Sequence, residues 1–308
     1  MTARTSPTFR RRQLARRIRQ LRESAGLTQG EAASGLDMST SALSRKETGD
    51  AATSVHELRS MLDLYDHYDP DLLDLARAAR RKGWWRAYGI EDRGYVDLET
   101  EAVSVREVHL SLVPGLLQTS DYMRCLFETG LLGSSPELVE QESAARLVRQ
   151  RRLGDREHPL QLHAVIAESA LHNQVGGPRV MARQLEEIVE RGTMSTVTVQ
   201  VIPRDSGGCA AVQSSFVLLD YAEPEQPDLL HFEHVAGSFQ TEAGSAVRAA
   251  GVAFQDVCDR ALSHEDSLRF VERVAAELEG GRCGREAPFR TAVAPEQPNH
   301  RGRQRRLR

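Results

Sequence analysis

Between Leu21 and Gly49 the stretch LRESAGLTQGEAASGLDMSTSALSRKETG carries so many helix boundaries that it has little freedom of fold. Gly26 follows the apolar stripe Leu14, Ile18, Leu21 and Ala25, whose spacing predicts one amphipathic helix from about Arg11. A glycine there ends a helix by accepting the left-handed conformation. Thr28 and Glu31 have capping-box spacing, so a second helix opens at once, with Ala32, Ala33 and Leu36 inward. Asp37 takes a turn position, Ser39 caps a third helix, and Gly49 stops it after Glu47. Downstream, Ser54 with Glu57 predicts a fourth helix packing Leu58, Met61, Leu62 and Tyr65. Asp69-Pro70 opens a fifth, through Leu72, Leu73 and Ala76. Residues 11–82 are therefore expected to form a small all-α domain.

Charge is distributed unevenly over the 308 residues. Residues 1–82 hold 15 basic against 11 acidic side chains, residues 83–281 hold 17 against 31, and residues 282–308 hold 8 against 2. Basic ends around an acidic middle point to a nucleic-acid-binding end and a body made for other partners. Eight arginines precede the first acidic residue, Glu23. Residues 1–10 are expected to be a flexible basic arm, and residues 281–308, rich in Gly, Pro and Arg, a disordered basic tail. No apolar run reaches a membrane span and no signal sequence is evident, so no membrane partner is expected and the expected location is the cytoplasm.

The second and third helices, joined by Leu36-Asp37-Met38, have the proportions of a helix-turn-helix. The segment resembles the Cro/CI (XRE) repressor family over roughly residues 11–65, through the Gly26-Leu27-Thr28-Gln29 entry, Ala33 at the helix crossing and the Ser44–Gly49 exit. The resemblance implies transcription regulation by binding double-stranded DNA, with the third helix in the major groove. Position by position it implies base contacts from Thr40, Ser41, Ser44 and Arg45, a phosphate contact from Gln29, and an ion pair between Arg22 and Glu47. Arg45 can donate twice to a guanine, whereas the short hydroxyls either read bases weakly or clamp phosphates. Arg4 and Arg10 are expected to add phosphate contacts from the arm. Two positions depart from the family: Asp37 replaces the usual turn glycine, and Lys46 replaces an aliphatic residue, its stem expected over apolar surface with the amine in solvent.

Gly83-Trp84-Trp85 mark a boundary, with the tryptophans expected to cap a second core. Residues 84–280 read as an α+β domain with a small sheet. Helices are expected near Gly94–Leu112, from Thr119, from Ser135-Pro136 to Leu153, and over Pro178–Arg191, Ala246–Leu262 and Glu265–Leu278. Alternation predicts strands at 160–168, 196–202 and 215–221, and 229–235 is a fourth candidate. The runs LVPGLLQTSDYMRCLF, RLVRQRRL, VGGPRVMARQLEEIVE and VTVQVIP resemble the domain of large actinobacterial WhiJ-like, antitoxin-like regulators over about residues 84–275. That resemblance implies a small partner protein and no particular chemistry.

Few residues of this region suggest a site. Pro114 and Gly115 read either as a structural turn or as part of a partner groove with Leu116, Leu117 and Tyr122. Arg146 and Arg149, with Arg151 and Arg152, read either as a solvated helix face or as a surface for an acidic partner. His231, Glu233 and His234 lie on a strand whose alternation splits the histidines between faces, so no metal is expected. Gly207-Gly208-Cys209 reads as an ordinary loop, and the four cysteines form no C-x-x-C. No catalytic residue, cofactor or phosphate-loop motif is found, and the chain is not expected to be an enzyme.

The residues thus point to a regulator that binds DNA as a homodimer. Its contact is expected in 84–280, because every stripe of 1–82 is used in closing the bundle. Two rival readings remain: an antitoxin that neutralises a small toxin, and an unrecognised enzymatic activity in the second domain.

Overall fold

A computed structural model describes residues 7–89, 94–129, 135–206, 214–223, 226–234 and 237–280. Arg4, Gly207-Gly208-Cys209 and the tail 281–308 lie outside the described residues. Helices α1 (Pro7–Ser24), α2 (Gln29–Gly35), α3 (Thr40–Glu47), α4 (Val55–Leu64) and α5 (Pro70–Ala78) form the helical domain. Leu14, Ile18, Ala33, Leu43, Leu58, Met61 and Leu72 are among its core residues. Thr28 and Ser54 each make both bonds of a capping box, Ser39 caps α3, and Asp69 caps α5. These caps satisfy the first amide groups of helices too short to be stable alone.

The second domain runs α6 (Gly94–Glu101), β1 (Ser104–His109), α7 (Ser120–Glu128), α8 (Pro136–Gln150), β2 (Gln161–Ala167), α9 (Glu168–His172), α10 (Pro178–Gly192), β3 (Val197–Ile202), β4 (Phe216–Asp220), β5 (Leu229–His234), β6 (Gly237–Thr241), α11 (Gly244–Arg260) and α12 (His264–Gly280). The six strands form one sheet in the order β3-β2-β1-β4-β5-β6. β1, β2 and β3 are parallel, joined by helical crossovers, and β4, β5 and β6 add antiparallel. Strand alternation divides the core in two. Val105, Leu162, Val199, Val217 and Leu229 pack with Leu117, Leu185 and Val271 of the helical side. Val108, Val165, Phe216, Leu218 and Leu230 face the other way, against Phe254 and Val257 of α11.

Two strands depart from the sequence expectation. The helix expected to reach Leu112 stops at Glu101, and Ser104–His109 become the central strand β1. Its Glu107 occupies a buried position, so its residues do not alternate apolar with polar, and its Arg and Glu are compatible with a helix. The strand β6 is short and mostly exposed, with one apolar side chain. The tryptophans cap a small separate cluster. Trp85 is buried with Ala145, while Trp84 lies edge-on to it and donates to Thr100 Oγ1 at 3.0 Å.

The expected arm at 1–10 also differs. Pro7 to Arg10 continue α1. Phe9 lies about 140° around the helix from Leu14, at 100° per residue. It enters the core of the second domain, 2% exposed, its ring 4.9 Å from that of Tyr221. One helix thus carries an apolar face for each core.

Candidate nucleic-acid interface

The α2–α3 connection is set by the backbone. Asp37 adopts φ 51°, the left-handed geometry in which aspartate is one of the few tolerated side chains. The Met38 amide donates to Ala33 O at 3.0 Å, which turns the chain into α3. Thr40, Ser41, Ser44 and Arg45 lie within an arc of about 140° on α3. Thr40, Ser41 and Arg45 are exposed and Ser44 is half-buried. The Ser41 hydroxyl is 3.1 Å from that of Ser39. The Arg45 side chain has no ion pair with a described residue, whereas Leu43 points inward and is fully buried.

Behind this face lies a buried lock. Arg22 Nε and Nη2 donate to Glu47 Oε1 and Oε2 at 2.6 and 3.0 Å, tying the end of α1 to the end of α3. Arg22 also donates to Leu27 O at 2.8 Å. The hydrogen bonds to Glu47 hold the Arg22 pKa above its ordinary value. Gln29 Nε2 donates to Glu47 Oε2 at 3.0 Å. That bond fixes the amide so that its second N–H, with the free backbone amides opening α2, is what it can offer an anion. Lys46 does not leave its amine in solvent. Its Nζ sits 2.9 Å from Glu57 Oε1 and donates to Ala52 O, so the charge joins α3 to α4.

Arg10 does not face outward from an arm. Its Nη2 lies 3.4 Å from Glu101 Oε1 at the end of α6. Arg12 and Arg16 both meet Glu242, at 3.3 and 3.0 Å, and Arg16 also donates to Gln226. With Phe9 they make α1 a bridge between the domains. The bridge begins about 9 Å along the helix from Arg22, at Arg16, and extends to about 18 Å at Arg10, at 1.5 Å per residue. None of its acceptors was singled out from sequence. Pairs separated by 91 to 230 positions leave no local signature, and only Phe9, apolar amid arginines and off the main stripe, could have hinted at it.

In the second domain the expected partner groove is largely interior. Pro114, Leu116, Leu117 and Tyr122 are buried, and the Tyr122 hydroxyl accepts the Val113 amide at 3.1 Å. Gly115 begins a single 3-10 turn, and its carbonyl accepts from Gln150. These residues therefore build the core rather than line a surface. Arg149 is spent on Glu99, bidentate at 2.7 and 2.5 Å. Burial opposes its charge, and Glu99 more than offsets that, so its pKa is raised. Arg152 donates to Glu99 O and Ala102 O, while Arg151 is exposed. Arg146, held by Gln118 and set over the Phe127 ring, makes no ion pair with a described residue. Burial and the neighbouring Arg149 push its pKa down to about 10.

His231 stacks on Tyr95 with centroids 4.4 Å apart, and burial lowers its pKa. His231 is buried while Glu233 and His234 are exposed, and no group able to hold a metal occurs among the described residues. No helix among them is long and apolar enough to cross a membrane.

No curated protein and no solved structure matches the chain. Residues 13–76 match a helix-turn-helix domain, in agreement with the α2–α3 geometry and its exposed face. Residues 92–273, more than half of the chain, match the domain of unknown function DUF5753, and the chain belongs to that family.

Proposed function

We propose that this DNA-binding regulator is sequence-specific, of the Cro/CI type, and that its second domain senses a partner rather than catalysing a reaction. The observation that carries the reading is the row of exposed Thr40, Ser41 and Arg45 with half-buried Ser44 on a helix held from behind by Arg22, Glu47 and Gln29. Arg45 supplies the long donor that reads a base edge, and the hydroxyls and Gln29 set register on the phosphates.

Two further observations support sensing. The resemblance of residues 84–275 to WhiJ-like regulators favours a small protein partner for an acidic domain. The α1 bridge couples that domain to the helix that anchors Glu47. Binding to a DNA library at fixed salt tests the specificity. One enriched symmetric site is expected, whereas equal retention of all duplexes would reduce the protein to a non-specific binder.

A further inference from the structure

The two edges of the sheet are finished differently. At the β3 edge, the Val199 amide meets His264 Nδ1 at 3.1 Å and the Val201 amide donates to Ser267 Oγ at 2.9 Å. Leu262 returns an amide to Val201 O at 2.9 Å. That edge is sealed by the start of α12 and the turn before it. At the β6 edge, no other element made of described residues hydrogen bonds to the outer side of Gly237–Thr241. Exposed strand edges are commonly guarded by lysine, proline or an inward charge. Gly-Ser-Phe-Gln-Thr has none of these.

An apolar row also runs out at this edge. Val165, Val108 and Phe216 are register partners across β2, β1 and β4, and Phe232 and Phe239 pair across β5 and β6. The rings follow at 6.4 Å from Phe216 to Phe232 and 6.5 Å from Phe232 to Phe239. The inner members pack in the core on the α11 side, but Phe239 is 56% exposed. Charge selects what can cover it. Residues 83–281 carry a net charge of −14, so the second domains of two copies repel each other. The uncharged β6 is where they can meet without that cost.

We propose that β6 is a self-pairing edge, at which a second copy adds its own β6 antiparallel about a twofold centred on Phe239. Gly237 then lies opposite Thr241 of the partner subunit. Phe239 lies against the partner's Phe239, so the aromatic row continues through both molecules. The contact is isologous, the geometry of a twofold dimer. Cross-strand aromatic pairs stabilise this arrangement, and like charges directly opposite each other oppose it. The value of a twofold to this protein, two reading heads on one symmetric operator, rests on the proposed DNA binding. The pairing itself does not.

Sedimentation of the full chain without DNA, over a concentration series, separates the two. Wild type is expected to show twice the chain mass. Phe239→Glu and Phe239→Lys, each alone, are expected to show the single mass, with unchanged circular dichroism. An equimolar mixture of the two is expected to regain the double mass, because opposite charges then face each other across the twofold. A misfolded variant cannot mimic that recovery. A monomeric wild type, or a Phe239→Glu variant that stays dimeric, would overturn the proposal. Two monomeric variants that stay monomeric on mixing would overturn its centre at Phe239. A dimer without specific DNA binding would leave this inference standing and remove the functional reading.

Discussion

In the helical domain the buried ion pair joins Arg22 to Glu47, 25 positions apart. In the sheet domain Arg149 reaches 50 positions to Glu99, and Arg106 reaches 114 to Asp220 at 2.9 and 2.6 Å. The first region closes through neighbouring capped helices. The second places β1 at the centre of its sheet, between β2 and a strand more than 100 residues later. Local closure costs little chain entropy, whereas the central strand must wait for distant partners. The same kind of bond thus marks a region that can form early and one that forms only as a whole.

The sharpest way to probe the contrast is to break one buried pair in each region. Arg22→Ala and Arg149→Ala strand Glu47 and Glu99, each buried, and each is expected to cost about 3–5 kcal/mol. Segment-resolved hydrogen exchange should show protection lost mainly in α1–α5 for the first and across the sheet for the second. A global loss from Arg22→Ala would show that the helical domain is not autonomous.

Phe9→Ala crosses the boundary by design. The side chain belongs to α1 by sequence and to the sheet core by burial, and its truncation should cost about 3–5 kcal/mol. Most of the lost protection is expected in the second domain. If the loss stays within α1–α5, the bridge is not energetic.

Arg45→Ala should leave thermal stability unchanged and weaken operator binding by about 1–3 kcal/mol, with relaxed discrimination at one base pair per half-site. Fluorescence anisotropy at fixed salt checks it, and equal affinity for the operator would remove Arg45 from the reading surface. Glu242→Gln should cost less, at most about 1 kcal/mol, since its pairs with Arg12 and Arg16 are partly solvated. A double-mutant cycle with Arg16→Gln isolates the part of that value due to the Arg16 pair.

Acid sharpens the comparison without mutation. Burial lowers the pKa of His163 and of His231, both in the sheet domain, below the ordinary 6.5. Each therefore contributes stability that is complete above pH 6.5 and erodes as pH falls from there towards its folded value. Glu99 follows at lower pH. Burial opposes its charge, but Arg149 holds its pKa below the ordinary 4.5, so its contribution is lost as pH falls through that lowered value. Exchange measured from pH 7 to pH 5 should open the sheet segments first, and earlier opening of α2–α4 would contradict this order.

The legibility of the two regions follows from the same difference. Helix boundaries are written within four residues, so Thr28, Ser39, Ser54 and Asp69 disclosed their helices without any tertiary knowledge. The strands β2, β3 and β4 showed through alternation, and β5 stood as a fourth candidate. The strand β1 did not, because Glu107 takes a buried position between Val105 and Val108, so the apolar residues of Ser104–His109 fall three apart, as on a helix face. In the site, the row Thr40–Arg45 is visible from helix phase. The partner of Lys46 and the acceptors of Arg10, Arg12 and Arg16 are not, since nothing near an arginine says which distant carboxylate it will meet.

The placement of Phe9 has a consequence for the order in which the protein is made. Synthesis delivers the N-terminal helices first, and their own core needs nothing beyond Ala76. Phe9 leaves the ribosome with them, but its ring packs against Tyr221, and the core it joins includes Val217, Leu219 and Leu229. About 150 further residues must be translated before that core exists. Throughout that interval a nascent chain with a finished helix-turn-helix domain displays an aromatic ring beside a row of arginines, and that domain gains its fixed orientation only when the sheet closes over the ring.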